Sequence, residues 1–214
     1  VQEIKSILSE KGLSNMPVGV DLVEPAMMLT LQEEGIKVID GQQILLEARE
    51  LKSKDEMILL NQACAMVDAT YHMIYEDMKP GVTEAQIVAK SNKLLYDLGS
   101  DDVEAINAIS GERCSPHPHN FTDRIFRPGD QAFFDILHSF NGYRTCYYRT
   151  FNIGTVSPAQ LDAYKQCREW LDRAIELVKP GVSTDKIASV WPKAEEFGFD
   201  NEMDAFALQF GHGI

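Results

Sequence analysis

An α+β fold built from two pseudo-symmetric halves is what this sequence predicts, on three observations. The phrase MKPGVTEAQI at 78–87 returns as VKPGVSTDKI at 178–187, with Lys, Pro, Gly, Val and Ile kept 100 residues later. Each copy follows a run of apolar residues at helical spacing. Between them lies a stretch rich in aromatic and β-branched residues around Asn141-Gly142, a strong hairpin signal. A single repeat of this length is too long a period for a solenoid and points to a duplicated unit.

Residues 1–48 carry IKSILSEKG, PVGVD and GIKVID, read as helix, short strands and turns. They are too short and too poor in apolar pattern for a full domain. The expectation is the tail of a domain that begins before Val1, followed by a second domain over 49–214. A strong helix then starts at the capping box Ser53-x-x-Glu56. Met57, Leu60, Cys64, Val67, Tyr71, Ile74 and Met78 give it one buried face, and Pro80-Gly81 ends it. Thr83 and Gln86 form a second box, opening a helix whose stripe is Ile87, Ser91, Leu94 and Leu98. The strands DQAFFDILHSF and GYRTCYYRTFNIG follow.

In the second half Ser157 caps, Pro158 takes the first turn and Gln160 completes a box. Leu161, Tyr164, Cys167 or Arg168, Leu171, Ile175 and Val178 are the expected buried stripe, and Pro180-Gly181 is the stop. Ser183 then caps a helix running towards Gly198, which Pro192 should kink or shorten. The first half spends roughly 45 residues on strands; the second stops at FGHGI, so the chain is expected to be truncated at both ends.

A net charge of −13 argues against nucleic acid or an anionic membrane as partner. No apolar run approaches the roughly 20 residues of a membrane span, and the start lacks a secretory pattern. Cys64, Cys114, Cys146 and Cys167 show no CxxC or zinc-ribbon spacing, which suits a reducing cytoplasm.

Three features carry chemistry. His117 and His119, two residues apart in the Pro-rich loop CSPHPHNFTDRIFRPGD, suit general acid and base, a metal, or a plain polar loop. Asp135 stands inside FFDIL, where a carboxylate is costly to bury unless paired, metal-bound or placed on a sheet edge. Phe133, Asp135 and Leu137 share one strand face. His212, between two glycines, suits a ligand site or a tight turn.

Taken together, RELKSKDEMILLNQA, MKPGVTEAQI, the segment from SGER through PHPHN to the hairpin, and FGHGI resemble the pita-bread family of methionine aminopeptidase, aminopeptidase P, prolidase and creatinase. The resemblance covers nearly the whole chain and is closest in type to creatinase and prolidase. It implies the pita-bread fold with its internal pseudo-two-fold, and makes residues 1–48 the tail of the N-terminal domain found in prolidase and creatinase. The family's peptidases hold two metals with two Asp, one His and two Glu. By resemblance Asp135 falls at the first Asp and His212 at the metal-binding His. The second Asp, eleven residues after the first, falls on Cys146, and both Glu positions lie beyond Ile214.

Cys146 is the departure. A thiolate suits zinc but replaces a carboxylate poorly in a Mn²⁺-type oxygen site. A dinuclear centre is therefore not expected; the cofactor is none, or a single divalent Mn, Zn or Fe. Creatinase cleaves a C–N bond without metal, using a histidine on the loop before the first strand; spacing does not decide between His117 and His119, eighteen and sixteen residues before Asp135.

The resulting expectation is a cytoplasmic, homodimeric hydrolase of the creatinase and prolidase (Xaa-Pro dipeptidase-like) type, acting on a small molecule or dipeptide. His117 or His119 is the acid/base group, Asp135 orients it or holds one metal, His212 contacts substrate or metal, and Tyr148 contacts substrate. Arg149, on the opposite face of its strand, is a structural ion-pair partner. Two alternatives stay open: a lyase on the same fold, like dimethylsulfoniopropionate lyase, and an inactive binding module. Strand alternation further predicts that Asp135 and Cys146 face one another across the hairpin.

Overall fold

A computed structural model describes residues 1–115 and 118–206; His117 and His212 lie outside the described residues. The chain forms two compact units, Val1–Lys54 and Asp55–Ile214. In the first unit, helices α1 (Gln2–Glu10), α2 (Pro25–Glu33) and α3 (Gln42–Glu50) alternate with strands β1 (Val18–Val20) and β2 (Val38–Asp40). The two strands pair in parallel, as a crossover through α2 requires.

The second unit opens with α4 (Lys54–Asp77), directly after Ser53, and α5 (Glu84–Asp97). The Thr83/Gln86 capping box is present in both directions. Strand β3 (Asp102–Ser110) runs into a 3₁₀ turn (Gly111–Cys114), and β4 (Gln131–Phe140) and β5 (Tyr143–Asn152) complete an antiparallel sheet in the order β3-β4-β5. The turn between β4 and β5 is the two-residue Asn141-Gly142, both at positive φ (50° and 80°), which the strands' right-handed twist favours.

One face of this sheet packs on α4 and α5. Ile106, Ala108, Phe134 and Ile136 meet Met66, Val67, Tyr71, Ile74, Ile87, Val88 and Leu95 in one core. Each fully buried Ile, Val or Phe there contributes about 1.5–3 kcal/mol. Tyr71 is the polar bolt: its hydroxyl reaches the carbonyls of Tyr147 (2.6 Å) and Phe134 (2.9 Å), holding α4 to both hairpin strands. His138, 1% exposed, does the same from the sheet, with Nε2 3.0 Å from the Ala63 carbonyl and Nδ1 3.0 Å from Ser100 Oγ.

The buried stripes differ in detail from expectation. On α4 the buried residues are Ala63, Met66, Val67, Thr70, Tyr71 and Ile74, while Met57 is 48% exposed. The His138 and Tyr71 bonds fix which face meets the sheet, and that face begins at Ala63. On α5 Leu95 is buried and Leu98, the residue after the helix, is exposed.

Helix α6 (Pro158–Leu177) has the expected Ser157/Gln160 box and Pro158 in its first turn. Its expected stripe is not buried: Tyr164, Leu171, Ile175 and Val178 are exposed, and among its residues only Ala174 is buried. Beyond it α7 is short (Thr184–Ala188), Pro192 prevents its continuation, and a 3₁₀ turn (Ala194–Phe197) and α8 (Glu202–Phe206) follow. The repeated phrase makes the same turn twice. Gly81 and Gly181 have φ of 94° and 84°, and Val82 and Val182 each donate to the lysine carbonyl three residues back at 3.1 Å.

Candidate functional site

The sheet face away from α4 and α5 carries a row of polar residues. Register pairs Asn107 of β3 with Asp135 of β4, and Asp135 with Tyr148 of β5. Two pairs nearer the hairpin turn, and so on the same face, Leu137 stands opposite Cys146. All five point to one side, because paired residues in an antiparallel ladder share a face and alternate residues repeat it. Asp135 and Cys146 are therefore diagonal neighbours on one face rather than directly opposed. The reason is the tight turn: closing the ladder at Phe140–Tyr143 brings Tyr148, not Cys146, across from Asp135.

Asp135 is 2% exposed, and both of its oxygens are engaged. Cys146 Sγ donates to Oδ1 at 3.6 Å, and Asn107 Nδ2 donates to Oδ2 at 3.2 Å. Burial, and then the Asp135 charge, pushes the Cys146 thiol up to about 11, so it is a protonated donor at neutral pH. The same two causes hold the Tyr148 phenol well above its usual range, so it too is neutral. Tyr148 packs its ring against Phe133, with centroids 6.0 Å apart, and its hydroxyl lies 3.3 Å from His119 Nε2.

The structure thus brings together four of the residues singled out by sequence: Asp135, Cys146, Tyr148 and His119. Arg149 lies on the other face as expected, over the rings of Tyr147 (4.7 Å) and Tyr71 (5.6 Å). Its carboxylate partner is Asp68, 3.9 Å away and largely exposed, a pairing of little energy beside the ring contacts. Asn107 was missed by sequence reasoning. The available signal was a lone amide in the apolar run AINAI, visible as a site residue only once β3 is registered against β4.

The described residues at the positions that the resemblance gives to metals do not fit a pair of hard divalent ions. Such ions want several free carboxylate oxygens. Here one carboxylate has both oxygens hydrogen-bonded within the chain, and its neighbour is a protonated thiol.

The chain is similar to proteins of known type. It is 25% identical over 173 residues to an Xaa-Pro dipeptidase of Pyrococcus furiosus, covering 80% of this chain and 49% of that protein. It is 27% identical over 208 residues to a probable dipeptidase PepE of Mycobacterium bovis, covering 94% and 55%. Among solved structures, a dipeptidase from Pyrococcus horikoshii matches with a TM-score of 0.81 at 21% identity, covering 88% of this chain and 54% of that one. The P. furiosus prolidase matches with a TM-score of 0.75 at 22% identity, covering 80% and 52%. The chain spans about half the length of these relatives. With the fold shared and the family model matching residues 59–214, the chain belongs to metallopeptidase family M24, the pita-bread peptidases.

Proposed function

We propose that this chain supplies part of the active site of a hydrolase that cleaves a C–N bond in a dipeptide or small molecule, without a dinuclear metal centre. The observation that carries the reading is the contact of His119 Nε2 with the Tyr148 hydroxyl, beside a carboxylate already satisfied by Asn107 and Cys146. The neutral Tyr148 hydroxyl is hydrogen-bonded to Asp135 and meets His119 Nε2, which ties the imidazole to the carboxylate row.

With substrate bound, Nε2 takes a proton from an attacking water, whose oxygen bonds to the electrophilic carbon. The C–N bond then breaks, and the same Nε2 returns the proton to the leaving nitrogen. Tyr148 moves to a substrate oxygen or nitrogen, and Asp135 fixes the row from beneath. His119 is taken as the acid/base group because it meets Tyr148, while His117 lies outside the described residues. The dipeptide class follows the names of the relatives, Xaa-Pro dipeptidase and dipeptidase.

Residues 1–48 are read as the tail of an N-terminal domain, and the four free thiols agree with a reducing compartment such as the cytoplasm. Among the described residues no helix is long and apolar enough to cross a membrane.

The test is turnover by the full-length protein on a panel of Xaa-Pro dipeptides and small amidines. Activity should survive chelation and fall by roughly 10²–10⁴ in His119→Gln. Two tightly bound Mn²⁺ or Zn²⁺ per chain, with activity lost on chelation, would overturn the metal-free reading. The thiol at position 146 also favours a second reading, a binding module; micromolar binding of a panel member with no turnover would identify it.

A further inference from the structure

We infer that Arg113 is the positioning residue of this site, holding the histidine loop closed through Asn120 so that His119 meets Tyr148; this rests on the reading of His119 as the acid/base group. The loop leaves β3 at Ser110, and its ends are tied to one carboxylate. Glu84, at the start of α5 and 0% exposed, accepts from Ser110 Oγ (2.6 Å), Arg113 Nη1 (2.6 Å), Thr122 N (2.9 Å) and Thr122 Oγ1 (2.8 Å). So the outgoing limb (Ser110, Arg113) and the returning limb (Thr122) converge on a single buried charge.

Arg113 joins the limbs one step further out. Its Nη2 donates to Asn120 Oδ1 at 2.7 Å, while the Asn120 carbonyl accepts from Ala108 N at 3.0 Å. Asn120 is thus gripped from both sides, by a side chain of the loop and by the backbone of the strand that carries Asn107. The next residue back is His119. A planar guanidinium with two arms in fixed relation suits this task, because it ties the loop's reach to the buried carboxylate. Lysine, with a single ammonium on a flexible stem, cannot hold both partners in one plane.

Replacing Arg113 by an apolar residue leaves Glu84 buried and unpaired and risks the fold, so the test cuts the outer arm. Asn120→Ala removes the acceptor and leaves the Glu84, Arg113 and Thr122 bonds in place. Asn120→Asp retains an acceptor oxygen, and Arg113→Lys keeps the charge but loses the fork. The readout is the His119 Cε1–H resonance in the full-length protein, assigned with His119→Gln, and the shift that Tyr148→Phe imposes on it.

In Asn120→Ala and in Arg113→Lys that Tyr148-dependent shift should fall about fivefold or more, and in Asn120→Asp it should largely return. A loop that merely contributes stability would change the melting temperature and leave the shift intact. An undiminished shift in Asn120→Ala or in Arg113→Lys overturns the proposal. Should the shift behave as expected while His119→Gln keeps full turnover, the positioning stands and the acid/base reading of His119 is what fails.

Discussion

Asp135 stands opposite Tyr148 in the β4–β5 ladder, and the thiol of Cys146 reaches Asp135 Oδ1 only from the diagonal position, at 3.6 Å. On the expectation that 135 and 146 take the family's two aspartate positions, the second carries a thiol that hydrogen-bonds to the first in place of a carboxylate.

That exchange should be reversible in part. Cys146→Asp brings a second carboxylate beside Asp135, and two like charges at this distance raise each other's cost. The variant should melt below the wild type in chelator, and added Mn²⁺ should raise its melting temperature more than that of the wild type, by mass action on the folded state. Equal Mn²⁺ responses in both proteins would show that Cys146 does not limit metal binding.

Tyr148→Phe removes the hydroxyl that meets His119 and leaves the ring against Phe133. Because Tyr148 is 40% exposed, the melting temperature should change little. Turnover, once a substrate is found, should fall by roughly 10- to 100-fold, chiefly in kcat. Steady-state kinetics on the two proteins decides it.

Arg113→Met leaves the Glu84 carboxylate, 0% exposed, without its cation. Breaking a buried pair from one side costs about 3–5 kcal/mol. Urea unfolding should show a lower midpoint with an unchanged slope. A loss below about 1 kcal/mol would mean that the Ser110 and Thr122 donors suffice to hold the charge.

His138 is held below the ordinary imidazole range, chiefly by burial. A histidine buried neutral contributes stability that is fully present above its unfolded pKa, near 6.5, and is lost as pH falls below that value. The loss has a limiting slope of about 1.4 kcal/mol per pH unit for one proton. Between pH 7 and 5 the unfolding free energy should drop, and His138→Gln, whose amide can still donate to Ala63, should flatten that part of the curve.

Much of the fold was legible in the chain. Capping boxes at Thr83 and Ser157, the Asn141-Gly142 turn and the doubled Pro-Gly phrase act through neighbours a few residues away, so their outcome is local. Pro192 stopped α7 for the same reason. The stripe on α4 was less legible: apolar residues occupy more than one side of that helix. The bonds from Tyr71 and His138, with Met66, Val67 and Ile74 packed beside them, mark the side that meets the sheet.

The sequence by itself placed Asp135 on an apolar strand where burial would need a partner, set Cys146 by resemblance where a second carboxylate is expected, and put histidines before them on a loop. Tertiary structure alone decided who touches whom. The hairpin's closure put Tyr148 rather than Cys146 across from Asp135, and the separate pairing of β3 with β4 drew Asn107 in. The reach of His119 depends on Glu84 and Arg113, brought together from 29 residues apart. The β4–β5 register follows from a local turn, but the β3–β4 register and the long-range ion pairing are properties of the assembled sheet and its loops, which no local pattern of residues encodes.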